Sequence, residues 1–287
     1  MATSKIETAP ARRSRRLLGQ CSRHGILIFF SMLALLPMYF MLVNAFKTKQ
    51  EYVGNRLGPP HHPVLTSVSD AMAGGDLYVW LLNSFLVTVT SVGLSTAFAA
   101  LAAYPLSLMR WRVGPFIYAL LIALLVVPPI VLVVPLFELV VDLRQLNTLH
   151  TVIVIYTGIM LPFSTFLLAS FFATISRPLL EAARIDGAGS WRAFWEIVLP
   201  LSGPALMTVV IVQSLWVWNE VLIAVIFLQD QSLRTLMVGL TLFNSRYRHD
   251  VPIVMAGMLI AAVPMVMLYL AGQRFFIRGL TAGGVKG

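Results

Sequence analysis

Six apolar runs dominate the sequence and leave few folds open to it. They span about Gly25–Phe46, Leu81–Leu108, Phe116–Val141, Val152–Ile175, Pro204–Leu228 and Pro252–Phe276. At 1.5 Å of rise per residue, each is long enough as a helix to cross the roughly 30 Å hydrocarbon core of a bilayer. Only helices or closed barrels satisfy backbone polar groups in lipid, and runs of this length point to helices. Composition agrees. The chain is 58% hydrophobic and 11% charged, against about 45–50% and about 25% for soluble domains. The expected fold is all-α, a polytopic membrane protein with six transmembrane helices.

The expected organisation is a basic tail over residues 1–25, a membrane domain over 26–276 and a short tail over 277–287. The first run is long for the apolar part of a signal peptide, which covers only about 7–15 residues. "VNA" at Val43–Ala45 loosely resembles a cleavage site and "SRRLLG" a twin-arginine signal, but the length of the run favours a retained first helix. The long polar segment from Lys47 to about Tyr78 separates that helix from a five-helix core at about 81–276, so helix 1 is expected at the periphery. "HHP" at His61–Pro63 could be read as a metal pair, but nothing else in the sequence supports that, and it is expected to be solvated loop. The lone Cys21 leaves no intrachain disulfide.

Basic residues orient membrane proteins toward the cytoplasm. With six spans both termini share one side. If that side is cytoplasmic, it receives 14 of the 21 Lys and Arg, and the outer segments receive 7. The net charge of +9 is therefore a topology signal, and a nucleic-acid partner is not needed to explain it. Both termini and the segment between the fourth and fifth runs are expected in the cytoplasm.

That segment, "EAARIDGAGSWRAFWEIVLP" from Glu181 to Pro200, brings charge back into an apolar chain. Upstream, Ser176 suits an N-cap whose hydroxyl accepts a first-turn N–H. Pro178 sits in the first turn, where its missing N–H costs little. Gly187 is the natural left-handed stop, and Ser190 is expected to cap a second short helix ending near Pro200. Ala182 and Ala183 leave backbone accessible, and Glu181 and Asp186 offer acceptors to Arg or Lys. Side-chain chemistry alone fits two roles, a loop lying on lipid or a docking element.

Within the spans, Glu220 is read as the one acid, and intramembrane ionisable residues are functional-site candidates. Trp216 and Trp218 lie beside it, with Asn219 between Trp218 and the acid. Aromatic faces suit the C–H surfaces of sugars, and equally suit an interfacial aromatic belt. Pro128, Pro129, Pro135, Pro162 and Pro264 interrupt the helix ladder, and Pro128–Pro135 is the expected bend.

The segment Glu181–Pro200 also resembles the cytoplasmic signature of ATP-binding-cassette importer permeases. That signature is Glu-Ala-Ala, three residues, Gly, nine residues, Ile, one residue, Leu-Pro, and this chain meets every position, from Glu181-Ala182-Ala183 through Gly187 and Ile197 to Leu199-Pro200. "NAFKT" at Asn44–Thr48, "NSFLVTVTSVGLSTAFAALAAYPLS", "WNE" at Trp218–Glu220 and the final "GLTAGGVKG" are similar to the carbohydrate branch, close to the second permease subunit of maltose-type importers. The resemblance spans the chain after about residue 25 and departs in the N-terminal tail and the large outer loops.

The resemblance implies a type I importer permease fold and no chemistry in this chain, consistent with the absence of a GxxxxGK[ST] phosphate loop. It implies a second permease subunit, two ATP-binding subunits that hold ATP and Mg, and an extracytoplasmic solute-binding protein delivering a small solute, a sugar by the branch resembled. It makes residues 177–200 the coupling-helix region, with Glu181, Ala182, Ala183, Asp186 and Gly187 contacting an ATP-binding subunit. Gly283, Gly284, Val285, Lys286 and Gly287 become a tail that reaches between those subunits, or else a frayed terminus. Trp216, Asn219 and Glu220 become candidates for the solute path, although in the maltose-type system most solute contacts belong to the other permease. A permease for glycerophosphodiesters or polyamines, and a stand-alone secondary transporter, are the competing readings.

Overall fold

The computed structural model describes residues 9–73, 76–109, 111–246 and 250–284, and contains no strand among them. The helices are α1 (Ala9–Ala45), α2 (Lys49–Gly54), α3 (Thr66–Ala73), α4 (Leu77–Leu108), α5 (Gly114–Leu124), α6 (Pro129–Asp142) and α7 (Leu149–Phe172). They continue with α8 (Arg177–Ile185), α9 (Ser190–Ala193), a π turn at Phe194–Val198, α10 (Leu199–Leu201), α11 (Gly203–Asn219) and α12 (Leu222–Phe227). A 3₁₀ turn at Gln231–Leu233, α13 (Leu236–Arg246) and α14 (Val251–Gly284) complete the chain.

Four stretches are single helices long and apolar enough to cross a bilayer: Arg23–Ala45, Leu77–Leu108, Leu149–Phe172 and Val251–Gln273. The third expected run is instead a bent pair, α5 and α6, turning by 98°. The second bent pair, Ser190–Leu201 and Gly203–Asn219, turns by 71° where the surface segment enters the fifth run. Counting each pair as one span raises the number to six. The protein is a multi-pass membrane protein. Of the five prolines expected to break helices, Pro128 and Pro129 stand at the sharp bend, whereas Pro135, Pro162 and Pro264 lie inside continuous helices.

Both expected tails are partly helical. Helix α1 already begins at Ala9, so the basic tail is helical over much of its length. Helix α14 continues to Gly284, so residues 277–284 extend a helix rather than forming a loose tail. Val285, Lys286 and Gly287 lie outside the described residues.

The centre of the bundle is the α4–α7 pair, the largest helix contact in the chain. Its cause is legible in α4, where Ser91, Ser95, Ala99 and Ala103 repeat every fourth residue and are all fully buried. Small side chains let two backbones approach in lipid, where packing and hydrogen bonds replace hydrophobic drive. Ser95 Oγ lies 3.5 Å from Ser164 Oγ on α7, and Gln213 of α11 donates to Ser164 Oγ at 3.2 Å and to the Met160 carbonyl at 3.3 Å. In contrast, α1 leaves nearly all of its residues from Arg23 to Leu42 exposed and packs beside α14, as the long polar segment after it suggested.

The end of the bundle opposite Glu181 is tied by polar clasps. Lys47 is fully buried, and its Nζ donates to Asn44 Oδ1 at 3.0 Å and to the carbonyls of Asn55 at 2.7 Å and Gly58 at 2.8 Å. Burial pushes this ammonium below its ordinary pKa of 10.5, with Glu51 opposing the shift. The three acceptors use every N–H of the ammonium and curl residues 55–58 around it. Nearby, Asn147 accepts from the backbone N–H groups of Gln229 and Asp230, both at 3.0 Å, joining the loop before α7 to the one after α12. His61 and His62 sit exposed in the polar loop.

Candidate functional site

Most of the residues singled out in the sequence lie in the loop between α7 and α11 and in the last turn of α11. The loop begins with α8. Ser176 occupies its N-cap position, but its hydroxyl makes no capping bond. Pro178 lies in the first turn as expected. The far end closes as a Schellman cap: the N–H of Ala188 reaches the Ala183 carbonyl at 2.9 Å, and that of Gly187 reaches Arg184 at 3.1 Å. Gly187 has φ +84°, the left-handed conformation that glycine adopts without penalty. A Cβ added there would meet nothing within 4 Å. The glycine is therefore required by backbone conformation and not by crowding within this chain.

Helix α8 buries none of its residues. Glu181, Ala182, Asp186 and Gly187 are exposed, and Ala183 is half-buried. Ile185 is 86% exposed and Trp191 66%, a high cost for large apolar groups in water unless something covers them. Glu181, Arg177 and Arg184 line a polar cavity of about 440 Å³ against Ser107 and Met109 at the end of α4.

The second half of the loop is rooted in the bundle. Ser190 is the first residue of α9 and Gly189 is its N-cap, so the expected serine cap is not formed. The Ser190 carbonyl instead accepts from Tyr104 Oη of α4 at 2.9 Å. Phe194, 2% exposed, belongs to a buried cluster with residues of α4, α7 and α11, its ring 5.2 Å from that of Tyr104. Val198 is fully buried in the same cluster. The chain widens to a π turn over Phe194–Val198, a form often found where a helix accommodates a functional contact.

The residues expected along a path do not form one site. Glu220 ends α11, and its carboxylate accepts from the backbone N–H groups of Ile223 at 2.9 Å and Ala224 at 3.1 Å, and from Tyr156 Oη at 2.5 Å. Its side chain thus holds first-turn N–H groups of α12, one residue before the N-cap Val221, and closes a break in a run that the sequence presents as one helix. Asn219 faces a cavity of about 480 Å³ between α11, α13 and α14, and its amide donates to the Leu215 carbonyl at 2.7 Å. Trp216 faces a separate cavity of about 240 Å³ with Gln213 and Phe163. Sequence reading missed Gln213, a buried amide in the middle of an apolar run, and also Glu138, an exposed acid inside α6, so Glu220 is not the one acid in the apolar runs. The first was legible as an amide ten positions into α11, beside Ser214 in an otherwise apolar stretch. Gly283 and Gly284 fall in the last turn of α14.

Comparison with known proteins places this geometry. Residues 91–280 match the family model described as "Binding-protein-dependent transport system inner membrane component". A melibiose/raffinose/stachyose import permease protein, MelC of Bacillus subtilis strain 168, is 37% identical over 253 residues, 88% of this chain and 91% of the relative. The sulfoquinovosyl glycerol transport system permease protein SmoH of Agrobacterium fabrum strain C58 is 35% identical over 254 residues, 88% of this chain and 89% of the relative. Among solved structures, a bacterial ABC transporter involved in import of the acidic polysaccharide alginate superposes with a TM-score of 0.80. It is 22% identical, and the match covers 92% of this chain and 98% of that one.

Proposed function

We propose a role from one premise: the chain belongs to the family of binding-protein-dependent transport system inner membrane components. Within it, the chain is a permease subunit of an ATP-driven sugar importer. With a second permease subunit it encloses the path, and the excess of Lys and Arg on one side of six crossings supports both termini and the α8 loop in the cytoplasm. Two ATP-binding subunits, carrying ATP and Mg, supply the energy, and an extracytoplasmic solute-binding protein delivers the solute to the Lys47 end. A sugar is the solute class favoured by the relatives' names and by the carbohydrate-branch tail.

The observation that carries this reading is the form of the Glu181–Pro200 loop. Helix α8 and the turn after it leave Glu181, Ala182, Asp186 and Gly187 exposed and Ala183 half-buried, while the following segment is fixed to the bundle through Phe194 and Tyr104. A push delivered to α8 reaches the bundle through that root. The five residues are assigned to contact with an ATP-binding subunit, and Gly283 to Gly287 to a second contact beyond α14. Trp216 and Asn219 border the path, and Glu220 holds the helix break beside it. A stand-alone ion-coupled carrier fits less well, because the Glu220 carboxylate already holds first-turn N–H groups of α12.

The Gly187→Leu substitution in the assembled complex tests the role. The expected result is ATP hydrolysis that no longer drives uptake, or loss of the ATP-binding subunits from the purified complex. A Gly187→Leu complex that assembles and transports at the wild-type rate would contradict it.

A further inference from the structure

Gln213 is 5% exposed and lies ten residues into α11, roughly 15 Å along the helix axis and so near the middle of a bilayer of about 30 Å. Phe163 lies nine residues from the same end of α7, at about 14 Å by the same rise. The two helices thus bring an amide and an aromatic ring to one depth. Trp216, one turn beyond Gln213, adds an indole whose other neighbour is Tyr156, edge-on at 5.6 Å. Pro129, at the sharp bend between α5 and α6, closes the floor of the cavity of about 240 Å³ that these side chains line.

Polar side chains at mid-membrane are expensive and mark functional sites. The Gln213 amide nitrogen is held by Ser164 Oγ and the Met160 carbonyl, which fixes the side chain and leaves its carbonyl oxygen as an acceptor. Phe163, Val212 and Trp216 are only half-buried, so the cavity opens away from this chain. Its volume is below the roughly 300–1,000 Å³ of a complete small-molecule pocket. The arrangement is half of a site: an indole and a phenyl face for C–H groups, one fixed acceptor for a hydroxyl, and an open side for a second chain. A hydroxylated ring with apolar faces, a single pyranose unit, matches that chemistry. A charged solute does not, because the cavity lining carries no ionisable group.

We infer that Gln213, Trp216 and Phe163 form a midplane half-site for one sugar ring in this subunit, completed by the second permease. The inference rests on the sugar-permease reading above. It is tested in proteoliposomes holding the whole complex with its binding protein, probed with radiolabelled melibiose, raffinose and stachyose. A wild-type complex that accumulates none of the three overturns the sugar reading and the half-site together. With a transported sugar in hand, Trp216→Ala and Gln213→Leu are each expected to lower maximal uptake about tenfold, the loss of about 1.4 kcal/mol. Binding-protein-stimulated ATP hydrolysis stays near wild type, and Trp216→Phe recovers most of the uptake. Unchanged uptake in both variants overturns the half-site and leaves the sugar reading standing. Equal loss of uptake and stimulated hydrolysis also overturns it, since that pattern marks a structural role.

Discussion

The two halves of the loop between α7 and α11 meet the bundle to different depths: α8 leans on the core cluster with the half-buried Leu180, and the second half buries Phe194 and Val198 in it. Helix α8 buries no residue and ends on a left-handed glycine. The segment from Ser190 to Leu201 is pinned by one buried ring, one hydroxyl and the buried Val198. A surface element meant only to cover the bundle would bury residues along its whole length. In the proposed function, the exposed first half receives a partner and the anchored second half passes the contact inward. The two halves should therefore respond differently to mutation: changes in the anchor should cost stability, and changes in α8 should cost coupling.

The largest effect is expected at the anchor. Phe194→Ala removes a buried ring from the cluster that α4, α7 and α11 share, and such truncations cost about 3–5 kcal/mol. Thermal stability of the detergent-solubilised chain should fall sharply, and uptake with it. If stability is unchanged and only coupling is lost, the division between the halves is wrong. Next comes Gly187→Ala. At φ +84° a Cβ strains the backbone by about 1–2 kcal/mol, yet finds open space. Melting should shift little and coupled hydrolysis should fall partly, less than for a bulkier residue.

Tyr104→Phe removes one hydrogen bond to the Ser190 carbonyl while keeping the ring against Phe194. A loss of about 1 kcal/mol is expected, read as a small melting shift with uptake kept. The smallest effect belongs to the Arg192–Glu196 pair at 2.9 Å, exposed on both sides. Arg192→Ala should change stability by no more than about 0.5 kcal/mol, and a large effect would mean that this outer face is itself a contact.

Much of this division was present in the chain's letters. Gly187 could be read as a stop because its neighbours are helix formers and only glycine enters the left-handed region freely. The apolar runs were legible because a bilayer demands length. What escaped was non-local. Gly189, not Ser190, caps α9, because the Ser190 carbonyl is drawn toward Tyr104, 86 residues away. Glu220 appeared to be a path acid because its partner Tyr156 is 64 residues distant, and without that partner the break before α12 has no local signal. The 98° bend at Pro128–Pro129 was expected as a kink, but its size depends on how α6 packs with α12 and α7.

The central claim is that energy enters through the face of α8. In a Cys21→Ala background, Ala182→Cys places a thiol on that exposed face, and maleimide labelling can be read in membranes with and without the ATP-binding subunits. The account predicts ready labelling of the isolated chain and strong protection once the complex assembles, with a control thiol introduced by Glu196→Cys labelled in both states. Equal labelling of the Ala182→Cys variant in the assembled and unassembled forms would contradict it.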